Sequence, residues 1–215
     1  MDARIAVLAS GSGTNLQALF DDPVVGPWVV LVVSDQPSAR ALERARDRGV
    51  KAVVVEPGLH ETRVDHDRAL VQVLQAESID YVVLAGYMRI LTAEIVQRFE
   101  NRMLNIHPAL LPAFPGAHPV RDALAWGSKV SGVTVHIVDL QVDHGPIVLQ
   151  EAVPVLPGDD ETALHGRIQK VEHRLYPRAV RLLVEGRLRV EGRLVKIQED
   201  SPEAATEAAS EAATR

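Results

Sequence analysis

The chain has no cysteine, which excludes disulfides and thiolate-held metals and is compatible with a reducing cytoplasm. It also lacks long apolar runs. Ile5 to Ala9, behind Asp2 and Arg4, is too short for a signal h-region. Val24 to Val33 is interrupted by Gly26-Pro27 and falls short of the roughly 20 residues that span a bilayer. Basic charge is not in excess either: 23 Lys and Arg against 29 Asp and Glu leave a net charge of −6, which argues against a general nucleic-acid binder. There is no His-Glu-x-x-His, no His/carboxylate cluster at metal spacing and no Gly-x-Ser-x-Gly elbow. A cytoplasmic protein with small-molecule partners, no metal, no nucleic acid and no membrane is expected; a homodimer is left open.

What is present suits an α/β chain. At 215 residues one domain can bury about 70% of its unfolded surface. Ile5 to Ala9 reads as a strand buried on both faces, followed by Ser10-Gly11-Ser12-Gly13-Thr14-Asn15 and a helix from Leu16. Such a loop at a helix start can hold a phosphate, or it can be a tight turn with Thr14 or Asn15 as the cap. The dinucleotide fingerprint fails at Leu16 and the Walker pattern fails at Thr14-Asn15, although Asp35 stands where a ribose-binding acid would. Further strands are expected at Val29 to Val33, Lys51 to Val55 and Tyr81 to Ala85. Helices are expected at Ser38 to Arg48, at Glu61 to Glu77 with Val64, Leu70, Val73 and Leu74 inward, and behind a Thr92 cap. Pro119 and Gly127 bracket a short helix. Val133 to Val138 and Ile147 to Val155 read as a hairpin, and Asp160 to Glu185 as a helix kinked or broken at Pro177. Arg187 to Val190 and Arg193 to Ile197 form a terminal hairpin. The expected fold is a Rossmann-like, mostly parallel sheet flanked by helices, with an antiparallel edge in the C-terminal half. It covers residues 1–198, and a disordered Ala/Glu-rich tail covers 199–215.

The densest chemistry lies in Met103 to Gly116. On a strand, Leu104 and Ile106 point one way and Asn105 and His107 the other, and Pro108 ends the ladder where the imidazole emerges. Taken alone, an Asn-x-His at a strand end more often caps backbone groups than forms a site. The acid to partner them would be Asp139 or Asp143, either of which could be an ordinary turn residue. A carboxylate beside His107 would raise its pKa and suit a general acid.

Asn105-x-His107-Pro108-x-Leu110-Leu111-Pro112, followed by Pro115-Gly116, resembles the signature of the folate-dependent formyltransferases. The resemblance runs from about Arg4 to Ile197. Ser-Gly-Ser-Gly-Thr-Asn-Leu-Gln-Ala at 10–18 is similar to the loop of those members that formylate glycinamide ribonucleotide in purine synthesis. The resemblance implies 10-formyltetrahydrofolate as co-substrate and Asn105, His107 and Asp143 as the catalytic trio. It implies a ribonucleotide site at Gly11, Ser12, Gly13, Thr14, Asn15 and Glu172. It implies a folate pocket of Arg63, Met88, Arg89, Ile90, Leu91, Asn105, Asp139, Leu140, Gln141, Val142 and Asp143. The chain departs from the pattern at Ala109, Ala113 and His144, and His144 would set a second imidazole beside Asp143. Three rivals remain. A formyltetrahydrofolate deformylase typically carries an N-terminal regulatory domain, for which this chain has no room. A methionyl-tRNA formyltransferase needs a further C-terminal domain and a basic surface. The third is a non-catalytic nucleotide-binding module.

Overall fold

The computed structural model describes residues 3–198, so the expected tail at 199–215 lies outside the described residues. Strands β1 (Ile5–Leu8), β2 (Val29–Ser34), β3 (Lys51–Val54), β4 (Tyr81–Leu84) and β5 (Met103–His107) alternate with helices α1 (Thr14–Asp21), α2 (Arg40–Asp47), α3 (Arg63–Ala76) and α4 (Ala93–Arg98). Beyond β5 come α5 (Pro119–Trp126), β6 (Val130–Ile137), β7 (Ile147–Pro154), α6 (Glu161–Val184) and the hairpin of β8 (Leu188–Glu191) and β9 (Leu194–Ile197). The main sheet has the order β3-β2-β1-β4-β5-β6-β7. β1 to β5 pair parallel, and β6 runs antiparallel to both its neighbours, as the expected fold class requires. Among the described residues no helix is long and apolar enough to cross a membrane.

Alternation along the strands builds two cores. Ile5, Val7, Leu104, Ile106, Val133 and Val135 face the cluster under α1 and α6, whereas Ala6, Leu8, Val82, Leu84 and Met103 face the cluster under α3 and α4. Strand order reverses between β1 and β4, so the loops after these strands flank the crevice where open α/β sheets bind ligands. The two loops touch: the Ser10 amide donates to Gly86 O at 3.0 Å and the Met88 amide to Ser10 Oγ at 2.9 Å. Ser10 Oγ in turn donates to buried Asp35 at 2.5 Å, so that carboxylate holds the loop from within.

Several local expectations change. α6 runs unbroken through Pro177; the loss of about 3 kcal/mol from one helical proline is offset by burial of Leu164, Ile168, Tyr176, Val180 and Leu183 along its inner face. Neither Thr14 nor Asn15 caps α1. The cap position is Gly13 at φ 69°, where a Cβ would come within 2.9 Å of Ala41 Cα on α2, so glycine is required on both counts. Thr92 occupies the cap position of α4, but its hydroxyl caps nothing. Val64 is exposed, because α3 turns His66, Asp67, Leu70, Val71 and Leu74 inward instead.

Two of those inward residues are a buried polar pair. His66 approaches Asp67 through Nδ1 at 3.1 Å and Val55 O through Nε2 at 3.0 Å, and Asp67 accepts the Thr92 amide at 2.6 Å. This joins the end of β3, α3 and the loop before α4 inside the core. Asp67→Ala strands His66 and the Thr92 amide, and is expected to cost about 3–5 kcal/mol. A urea titration should show a lower midpoint at unchanged slope, and a loss under about 1 kcal/mol would show that the pair is not needed.

Candidate active site

The parallel-to-antiparallel change after β5 creates a polar stripe. The residues of β6 that face Asn105 and His107 in register are His136 and Thr134, and Gln150 of β7 lies next to Thr134. Cross-strand neighbours share a face, so these side chains project together on the side away from Leu104 and Ile106. Thr134 Oγ1 donates to Ala109 O at 2.7 Å and accepts the Leu111 amide at 3.0 Å, and Gln150 donates to Leu111 O at 2.8 Å. The Pro-rich segment after β5 is thereby bound back onto the sheet.

Asn105, His107 and Asp143 come together on this stripe. Asn105 Nδ2 lies 3.4 Å from Asp143 Oδ1, His107 Nδ1 lies 3.4 Å from Asp143 Oδ2, and the Gly116 amide donates to Oδ2 at 2.8 Å. Asp143, rather than Asp139, is therefore the acid beside the histidine. Asp139 instead accepts the Gln141 amide at 2.9 Å, the ordinary turn role. His107 Nε2 donates to Phe114 O at 2.8 Å, so in the neutral ring the lone pair sits on Nδ1, facing the carboxylate side.

A residue that the motif left out completes the site. His136 Nε2 is 3.1 Å from Asn105 Nδ2 and 3.7 Å from Asp143 Oδ1, while its Nδ1 lies 2.9 Å from Ile137 O. A carbonyl only accepts, so Nδ1 carries the hydrogen in the neutral ring and Nε2 accepts from Asn105. That fixes the Asn105 amide with its donors inward. The Thr134/His136 alternation in β6 was the available signal. His144, expected to be the second imidazole beside Asp143, points away to Asp139 Oδ2 at 2.9 Å.

Burial pushes the His107 pKa down, with Asp143 and the Phe114 carbonyl opposing and neighbouring His136 adding to the shift. The expected rise is thus reversed: desolvation of a 4% exposed ring outweighs one anion at 3.4 Å. Burial also works to raise Asp143, but His136, the Gly116 amide and His107 outweigh it and hold the carboxyl below the usual range. Of these the Gly116 amide stands at true hydrogen-bond length, 2.8 Å, whereas His136 stands off at 3.7 Å.

The other expected residues fall on loops around the crevice. Gly11 and Ser12 are exposed, and Asn15 Nδ2 donates to Glu172 Oε2 at 3.1 Å. Burial raises the Glu172 carboxyl, with the Asn15 bond opposing, and Asn15 Oδ1 is buried without a partner. Met88 (68% exposed), Ile90 (55%), Leu140 (61%) and Val142 (51%) leave apolar surface in water on two loops, while Leu91 and Val138 pack against the second core cluster. Arg89 is half-buried, with Nε unpartnered, and Gln141 is exposed. Arg63 is exposed at the start of α3, and its side chain makes no hydrogen bond or ion pair to the described residues. A cavity of about 640 Å³ between α1, α2 and α6, lined by Thr14, Gln17, Arg44, His173 and Arg174 among others, includes none of the catalytic candidates.

An NMR titration of the His107 ring should give a midpoint below the ordinary imidazole value of about 6.5. Asp143→Asn removes the anion that favours the imidazolium, so the midpoint should fall further. A midpoint above that value in the unaltered protein would overturn burial as the dominant cause, and a rise in the variant would overturn the opposing role of Asp143.

The description formyl transferase fits residues 3–180 of the chain. Phosphoribosylglycinamide formyltransferase of Mycobacterium tuberculosis is 47% identical over 192 residues, 89% of each chain. The trifunctional purine biosynthetic protein adenosine-3 of Drosophila melanogaster is 46% identical over 85% of this chain, which spans only 14% of that protein's length. The crystal structure of glycinamide ribonucleotide transformylase 1 from Symbiobacterium toebii superposes with a TM-score of 0.89 at 52% identity, covering 92% of this chain and 94% of that one. With Asn105, His107 and Asp143 meeting on the polar face of such a sheet, and the likeness running nearly end to end, the chain belongs to the formyl transferase family.

Proposed function

We propose that this protein transfers the formyl group of 10-formyltetrahydrofolate to the amine of 5-phosphoribosylglycinamide, a step of de novo purine synthesis. The observation that carries the reading is the meeting of Asn105, His107 and Asp143 in a largely buried site flanked by two apolar loops. Attack of the amine lone pair on the formyl carbon turns the carbonyl into an oxyanion, to which Asn105 Nδ2 donates the hydrogen that the long 3.4 Å contact to Asp143 Oδ1 holds only weakly. The attacking nitrogen gives a proton to His107 at Nδ1, and the imidazolium so formed lies beside the Asp143 carboxylate. His107 returns that proton to N10 of the folate as the carbon–N10 bond breaks, releasing tetrahydrofolate and the formylated amine. A low resting pKa suits this order of events, because His107 must be neutral before it accepts the proton.

Met88, Ile90, Leu140 and Val142 offer the apolar surface that a flat pterin needs, and the unpartnered Nε of Arg89 suits the acidic tail of a folate. Gly13 leaves the first amides of α1 without a side-chain cap, a cradle suited to the ribonucleotide phosphate. Glu172 and Asn15 Oδ1 are acceptors suited to its hydroxyls or amine.

Folate absorbance should change on incubation with 10-formyltetrahydrofolate only when the ribonucleotide is present; release without it would point to hydrolysis instead. His107→Ala is expected to lower kcat by about 10²–10⁴ and Asn105→Ala by about 10²–10³, both leaving the far-UV spectrum unchanged. Unaltered turnover in His107→Ala would sink the mechanism. Glu172→Gln should raise KM for the ribonucleotide by about tenfold and leave KM for the folate alone, as expected for loss of one charge-assisted hydrogen bond. An equal rise in both constants would remove Glu172 from the ribonucleotide site.

A further inference from the structure

We propose that Arg193, in the turn between β8 and β9, is a positioning residue that latches the 138–146 loop and so keeps Asp143 within reach of Asn105 and His107. The loop needs such a hold. Asp143 sits at φ 52°, a left-handed conformation that a residue with a Cβ keeps only when its surroundings impose it. Among the described residues the backbone of 139–145 makes no backbone–backbone hydrogen bond; the ladder stops at Val138 N to Met103 O (2.9 Å) and resumes with Ile137 N to Pro146 O (2.9 Å).

Side chains supply the rest. From the inner side the Gly116 amide donates to the Asp143 carboxylate at 2.8 Å. From the outer side Arg193 Nη2 donates to the carbonyl of the next residue, His144, at 2.7 Å. Arg193 Nη1 lies 3.3 Å from His144 Nδ1 and 3.2 Å from Nε2, near-equal distances that an in-plane hydrogen bond cannot give, so Nη1 sits over the face of the ring. The same ring is tied to Asp139 Oδ2 at 2.9 Å, and Asp139 Oδ1 accepts the Gln141 amide at 2.9 Å, which closes the loop upon itself. The post that carries Arg193 is firm: Leu188, Val190 and Val195 of the hairpin pack against the main core cluster, and Arg187 N bonds to Leu182 O at 3.0 Å. His144, which departs from the family pattern, is therefore the part of the loop that the hairpin grips.

Only the activity readout of this latch rests on the formyl-transfer reading. The test compares Arg193→Ala, Arg193→Lys and His144→Gly in the full chain, by amide exchange of peptides spanning 139–145 and by kcat and KM for both substrates. Arg193→Ala should exchange about tenfold faster in that loop and lose about tenfold in kcat at an unchanged melting temperature. Arg193→Lys, which keeps a cationic donor for the carbonyl, should recover part of both. His144→Gly, which loses the ring but keeps the carbonyl, should loosen the loop less than Arg193→Ala. Unchanged exchange in Arg193→Ala overturns the latch, and faster exchange with unchanged kcat overturns its bearing on Asp143. If the unaltered protein shows no formyl transfer, the proposed reaction fails while the exchange comparison still decides the latch.

Discussion

A carboxylate taken out of water is the constraint on which the site half of the molecule depends. The Asp143 side chain is 9% exposed, and an anion there is tolerable only if polar groups surround it. They come from three stretches that are far apart in sequence: Asn105 and His107 on β5, the Gly116 amide after the Pro-rich segment, and His136 on β6. Each stretch is held by further bonds whose geometry the carboxylate shares. Phe114 O takes the far nitrogen of His107, and Thr134 and Gln150 tie down the backbone at 109–111. The change from parallel to antiparallel pairing at β6 matters because it brings a second polar strand face beside the first.

The same burial sets the chemistry. Desolvation keeps His107 neutral at rest, and Asp143 becomes its counter-charge once a proton arrives. An imidazole with that profile can take a proton from an attacking amine and return it to a leaving nitrogen. Around it, the reversal of strand order at β1 and β4 brings the 10–15 loop and the 86–92 loop together. Buried Asp35 and Asp67 pin the latter from two sides, so a loop that leaves Met88 and Ile90 in water is nonetheless firmly placed.

Much of this was legible in the sequence because it depends on local rules. Period-two alternation assigned Asn105 and His107 to one face of β5, Pro108 ended the strand, and apolar runs separated by amphipathic stretches announced the α/β sheet. The formyltransferase motif then singled out Asp143 among the acids of its loop. Other features depend on what lies across space. His136, Thr134 and Gln150 join the site through the register between strands, which the alternation of any one strand does not specify. The turn of His144 away from Asp143 depends on Asp139 and on an arginine in another element.

The sequence by itself determined the strand and helix order, the polar face of β5 and the identity of the residues able to move a proton, because these follow from side-chain type and backbone periodicity. Only the tertiary structure decided the sign of the His107 shift, the continuity of α6 through Pro177 and the demand for glycine at position 13. Each of those is a balance between a local preference and the surroundings: water excluded from a ring, apolar surface buried along a helix, or a neighbouring backbone at 2.9 Å.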